Sequence, residues 1–459
     1  MNAVSSFFDK FGFCALLLSV VIAPIPFGSN SASLAGGLGL LVALSLLATA
    51  LVPKVNQAVA RLYGAALFVA MLVVLCVVVQ TTPWGQPALM NPIWLQTGRL
   101  IGDPEGVIAA SRYQPLHSVG YVLFAMAAFI CALVHVRGER RYMTFLRVVL
   151  AAGCAVTLFC LVQYSQSPHS LLWAEKKHYI GSFTGTFVNP NTAATYFGLM
   201  LLLSTAVGLR QLEDVTLSRL LVARSRWSVH EQRRLRAFLV YAAAAFLFLL
   251  ALLLTKSRAG IVSSLTGVAL FTAILVFLRL RRRASRLVAA ALAALCLLGG
   301  AALFFVYSGL VARRLQIEGL VDDARLCVYQ STWRAIQETF WRGTGLGTFQ
   351  DVLPSYRLPA CKLYGYWDAA HNVLLEGWLG LGAVFLVCTG LVYYKLLQTF
   401  LHGMRERRRL RFVPWSCLCL LVVVSLHSLV DFSLQIPGVG LAVAATLGAG
   451  CAISLTRGS

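Results

Sequence analysis

Long apolar runs, each closed by a few charged or turn-forming residues, recur along the whole chain. They fall near residues 11–28, 34–52, 62–80, 117–136, 143–163, 192–209, 237–255, 261–279, 287–307, 372–394, 413–429 and 435–454. Crossing the hydrocarbon of a bilayer takes roughly 20 such residues as a helix. The pattern predicts an all-α polytopic membrane protein with about twelve transmembrane helices. The first run follows a short charged lead ending in Asp9 and Lys10. Its Pro24 and Pro26, and the lack of a small-x-small cleavage pattern, predict a retained helix rather than a removed signal.

Three predicted outer connections exceed a turn: 81–116, 164–191 and 308–371. Within the longest, Asp322 and Asp323 can cap a helix running to about Phe340, with Leu326, Tyr329, Trp333, Ile336 and Phe340 at helical spacing. The following Gly343-Thr-Gly345-Leu-Gly347 has no strand before it and no Lys-Ser/Thr after it. That favours a tight turn over a phosphate loop. No internal repeat is evident, which weighs against an inverted-repeat transporter.

Composition agrees: 59% of the 459 residues are hydrophobic and 12% charged, with a mean hydropathy of +0.77. No soluble core could hold that balance, so lipid is the expected solvent. A net charge of +22 could suggest nucleic acid, but the basic residues alternate with the apolar runs and mark loops. With the N-terminus inside, 26 of the 39 Lys and Arg and 6 of the 17 acids fall on the cytoplasmic side. This positive-inside bias predicts both termini cytoplasmic and the three long loops outside. The basic segments Arg137–Arg141, Arg210–Arg236, Arg279–Arg286 and Arg405–Arg411 then orient the chain and meet anionic membrane lipids; no nucleic-acid partner is expected. Most of the twelve cysteines lie inside spans as small hydrophobes. Cys327 and Cys361 share an outer loop, where a disulfide and two free thiols are both open.

Four pieces at the predicted outer boundary could carry chemistry. Asn189-Pro190-Asn191 either caps a helix or offers side-chain amides to a sugar or phosphate. Arg258, in a short hinge between two spans, either snorkels to the interface or grips a lipid-linked phosphate. Arg325, in the first turn of the loop helix, either pairs with Asp322 or Asp323 or joins the helix end in binding an anion. Trp367-Asp368-Ala-Ala-His371-Asn372 places a histidine near a carboxylate, with Glu376 a turn further, so His371 is a candidate general base oriented by Asp368. His427 and Asp431, spaced i,i+4, could form a proton pathway or a structural hydrogen bond. No HExxH or paired CxxC spacing occurs, so neither metal nor other cofactor is indicated.

The fragments GTFVNPNTAATYF, LLLTKSRAGIVSSL, ARLCVYQSTWRAI, GTGLGTF, WDAAHNVLLEGWLGLG and HSLVDFSLQIPG, in this order, resemble the O-antigen ligase and polymerase family of bacterial envelope glycosyltransferases. The resemblance spans about residues 181–440, leaving 1–180 as transmembrane helices and outer loops and 441–459 as the last helix and tail. It implies a GT-C type glycosyltransferase of the inner membrane that takes a glycan from undecaprenyl diphosphate at the periplasmic face. By the same resemblance His371 would be the base and Arg258 and Arg325 would bind diphosphate. Asn189, Asn191, Asn372 and Asp368 would line the substrate, and the reaction would invert the sugar. The family often carries an acid where this chain has Gly380. A ligase acting on the lipid A core is favoured over a polymerase extending another lipid-linked glycan; a protein O-glycosyltransferase remains a third acceptor choice. The rival from another class is a transporter or lipid flippase, which would need broken helices and charges at the bilayer midplane.

Overall fold

The structure, a computed structural model, describes residues 3–52, 55–102, 105–213, 228–280, 294, 323–361, 365–407 and 409–456. Among these, ten helices are long and apolar enough to cross a membrane. They are α1 (Ala3–Ile22), α2 (Ala32–Thr49), α3 (Gln57–Thr81), α5 (Gln114–His135), α6 (Glu139–Gln166), α7 (Pro190–Gln211), α8 (Val229–Leu254), α9 (Arg258–Leu280), α13 (Ala383–Glu406) and α15 (Pro437–Leu455). The shorter apolar α14 (Phe412–Ser428) lies between the last two. Four further helices are α4 (Pro92–Ile101), α10 (Asp323–Thr339), α11 (Phe349–Tyr356) and α12 (Val373–Leu381). The chain is thus an all-α polytopic membrane protein; the expected span at 287–307, apart from Ala294, and Asp322 in the outer loop lie outside the described residues.

Two helices form the centre. Nearly every residue of α7 and α15 is buried, whereas the remaining spans are largely exposed on one side. Small residues make this possible, because a transmembrane helix gains attraction by close approach rather than by escaping water. A Cβ on Gly448 of α15 would sit 2.3 Å from the Phe129 carbonyl of α5, and one on Gly198 of α7 would sit 2.0 Å from Ser264 Oγ of α9. Around them α8 and α9 pack on α7, α5 and α13 on α15, and α14 against α9.

The first helix ends at Ile22, earlier than the apolar run alone suggests. Pro24 and Pro26 deny it backbone donors, and Phe27, Gly28 and Ser29 all adopt left-handed conformations. At its other end Asp9 is buried between His135 Nδ1 at 3.0 Å and the Arg141 guanidinium at 2.8 Å. His135 Nε2 lies 3.1 Å from the Ser45 carbonyl, so four segments meet at one buried charge cluster.

The outer segments build a second, smaller core. Ala110, Val328, Ala335, Ile336, Phe349, Val352 and Leu379 pack together, with Cys327 and Cys361 at its edge. Those two cysteines form a disulfide. The face of α10 differs from the expected one: Ile336 is buried, but Leu326 and Trp333 are exposed, and Val328, Ser331, Thr332 and Ala335 complete the buried side. Trp333 and Phe340 instead meet the edge of Trp378 on α12.

The apolar run 372–394 is not one helix. Gly382 breaks it at φ 61°, ψ −146°, a conformation open essentially to glycine alone. The Gly343–Gly347 turn packs into this break: Thr344 N–H donates to the Leu379 carbonyl at 2.7 Å and Gly345 N–H to Gly380 at 3.0 Å. Gln80 Nε2 of α3 donates to the Arg342 and Gly380 carbonyls at 2.7 and 2.8 Å. The glycine-rich turn therefore spends these two amides on protein. Gly380 itself has the Leu346 Cα 3.1 Å from where its Cβ would be, leaving little room for a larger side chain there.

Candidate functional site

The segment after α14 gathers most of the residues singled out in the sequence. Asn189 caps α7 by accepting from Asn191 N–H at 2.8 Å, and Pro190 occupies the first helical position. Asn191 is thereby turned toward the hinge before α9: its Oδ1 accepts from Ser257 Oγ at 2.8 Å, and its Nδ2 donates to Asp431 Oδ1 at 3.1 Å. Ser433 donates its hydroxyl to the other oxygen of Asp431. Arg258, directly after Ser257, opens α9 beside this chain of hydrogen bonds.

From the outer core come Arg325, Tyr329, His371 and Asn372. Arg325 donates to the Val430 carbonyl at 3.3 Å and Asn372 Nδ2 to the Leu429 carbonyl at 2.8 Å. Asn372 also caps α12, its Oδ1 accepting from Leu374 and Leu375 N–H. Tyr329 hydroxyl donates to the His371 carbonyl at 3.0 Å. The His371 ring lies edge-on to Trp367 and Phe432, with centroids 5.9 and 4.9 Å away.

The carboxylate that His371 meets is Asp431, not Asp368. His371 Nδ1 is buried 3.8 Å from Asp431 Oδ1 and makes no hydrogen bond; an approach of about an ångström would complete one. Burial would raise the Asp431 carboxyl, but His371, with His427 and Ser433, holds it below the usual carboxylate range. Asp431 comes after the end of α14, and it and His427 each make a structural hydrogen bond to α7: His427 Nδ1 is 2.6 Å from Thr195 Oγ1, and Asp431 accepts from Asn191. Glu376 accepts from Ala370 N–H at 2.9 Å. Desolvation lifts its carboxyl to about 7, against the hydrogen bonds from Ala370 and Gln435 and with help from the charge on Asp368.

Beside this network lies a cavity of about 540 Å³. Asn189, Asp368 and His371 line it, together with Phe27, Asn30, His178, Tyr179, Tyr366, Trp367 and Phe432. Its described lining includes neither arginine, nor Asn191 or Asn372. Arg325 is nonetheless near: it opposes the rise that burial imposes on the Tyr179 phenol. Sequence reasoning missed Phe27, Asn30, His178, Tyr179 and the role of Asp431. The Pro-Ile-Pro-Phe-Gly-Ser-Asn stretch was a turn signal, and Asp431 a costly charge at a membrane boundary.

Fold and site together define a multi-pass membrane protein with a polar, aromatic cavity at one end of its bundle. Residues 243–390 match the family model of O-antigen ligase, which supports membership of that family and its ligase or polymerase type of activity. The matched stretch contains Arg258, Arg325, Asp368, His371 and Asn372, but not Asn189, Asn191 or Asp431. No curated protein matches the chain.

Proposed function

We propose that the chain is an inverting, metal-independent glycosyltransferase that moves a glycan from undecaprenyl diphosphate to an acceptor sugar of the lipid A core. The observation that carries this reading is the convergence of Asn191, Arg325, His371 and Asn372 on residues 429–431, beside a sugar-sized cavity. The cavity end faces the periplasm of the inner membrane and both termini face the cytoplasm. The Cys327–Cys361 disulfide supports that side, because such bonds persist in oxidising compartments.

In the reaction an acceptor hydroxyl oxygen attacks the anomeric carbon from the face opposite the diphosphate. The carbon–oxygen bond to phosphate breaks, undecaprenyl diphosphate leaves, and His371 takes the hydroxyl proton. Asp431 holds the imidazole and stabilises its charged form, while Arg258 and Arg325 balance charge building on the departing diphosphate. Asn189 and Asp368 contact the sugar. Asn191 and Asn372 position the segment that carries Asp431.

The test is reconstitution of purified protein with an undecaprenyl-diphosphate glycan and either lipid A core or a second lipid-linked glycan. Transfer to the core establishes the ligase. Elongation of the second glycan establishes a polymerase instead, and movement of the donor across vesicles without any bond formed would overturn the enzyme reading.

A further inference from the structure

Seven described residues other than glycine have left-handed backbones, and three of them, Phe27 (φ 53°), Tyr179 (φ 56°) and His371 (φ 53°), line the cavity. A fourth, Ser29 (φ 57°), sits in the same turn as Phe27. Strain of this kind persists only where the surroundings over-determine it, and it concentrates at functional sites. The Phe27 turn is held that firmly. Thr186 Oγ1 donates to the Pro24 carbonyl at 2.5 Å, and Ser29 Oγ to the Ala23 carbonyl at 2.7 Å. A Cβ on Gly28 would meet Phe187 at 2.5 Å, and one on Gly438 of α15 would meet the Ala23 carbonyl at 2.9 Å. The result is a rigid turn that places Phe27 and the exposed Asn30 in the lining of the cavity that Trp367 and His371 also line.

The chemistry of this wall suits a sugar. A pyranose has an apolar C–H face and a rim of hydroxyls, so it is recognised by flat rings plus groups that both donate and accept. Phe27 and Tyr179 supply the rings; Asn30 and His178 supply donors and acceptors. We propose that the Phe27–Asn30 turn, with His178 and Tyr179, is a specificity wall that reads the sugar rings presented to His371. It rests on the glycosyltransferase reading and adds that selection lies outside residues 243–390, in the N-terminal part of the chain.

The test uses the purified full chain, free oligosaccharides that differ in the configuration of one hydroxyl, and the same glycans on undecaprenyl diphosphate. Binding is measured by calorimetry and transfer by product formation. Tyr179→Gly and Phe27→Gly remove a ring while keeping a backbone that glycine adopts freely, and Asn30→Ala removes an exposed amide. Each should weaken oligosaccharide binding about tenfold and narrow the preference between epimers. Tyr179→Phe should restore the part due to the ring. Unchanged affinity and preference in Asn30→Ala and Tyr179→Gly would overturn the wall. His371→Ala separates the two ideas: transfer should fall by about 10²-fold or more, and if transfer stays near normal the assignment of the base fails, while the oligosaccharide binding of the Asn30 and Tyr179 variants still decides the wall.

Discussion

His371 is placed by its neighbours on every side: Tyr329 on its carbonyl, Phe432 and Trp367 on its ring, Asp431 facing Nδ1. If it is the base, His371→Ala and His371→Gln should both lower transfer by about 10²-fold or more while the protein remains folded, because glutamine keeps hydrogen bonding but not basicity. Asp431→Asn should cost about tenfold or more in kcat with little change in KM, since it acts through His371 rather than on substrate. Glu376 gives a pH prediction. Its carboxyl is raised in the fold to about 7, so the folded state holds the extra proton and stability falls as pH rises from the ordinary carboxylate range through about 7. Thermal denaturation of Glu376→Gln across that range should lack this decline. His371, Arg325 and the asparagines were legible as polar residues at span boundaries. Asp431 was legible as a charge spaced i,i+4 from His427, but its approach to His371 was not, because α14 ends at Ser428 and the chain turns there toward the outer segments.

At the scale of elements, most spans could be read from hydropathy because lipid demands unbroken apolar stretches. The break between α12 and α13 could not, since Val373–Leu381 is as apolar as the start of α13 and only Gly382 marks it. A Cβ there would meet the Trp341 carbonyl at 2.4 Å. Gly382→Ala should therefore lower stability by more than about 1 kcal/mol through backbone strain alone, seen as a lower unfolding temperature in detergent. The outer core was legible only as one helix in one loop. Its assembly from two distant loops was invisible, because nothing in either sequence names the other as partner. Cross-linking Cys327 to Cys361 closes a loop over a sequence separation of 34, stabilising the fold by about 3–4 kcal/mol on the chain-entropy account. Cys327→Ser with Cys361→Ser should lower the resistance of 323–361 to proteolysis far more than that of α7 or α15.

For the whole molecule, the polar groups divide between two ends. Asp9, Glu139, Arg141, Arg210 and Arg407 form ion pairs or hydrogen bonds at the end opposite the cavity. Cysteines introduced at Asn30 and Tyr366 should react with an impermeant reagent from outside, and those at Arg140 and Arg409 should not; the reverse pattern would place the cavity in the wrong compartment. The central position of α15 has a consequence for biogenesis. Asn56 donates to the carbonyl of Leu455, 399 positions away, and Gly438 underlies the Phe27 turn. The Phe27 turn is thus synthesised long before the helix that supports it. Chains halted before Pro437 would carry every other described helix and still lack the support that shapes the site, so the proposed transfer should begin only once α15 has been inserted.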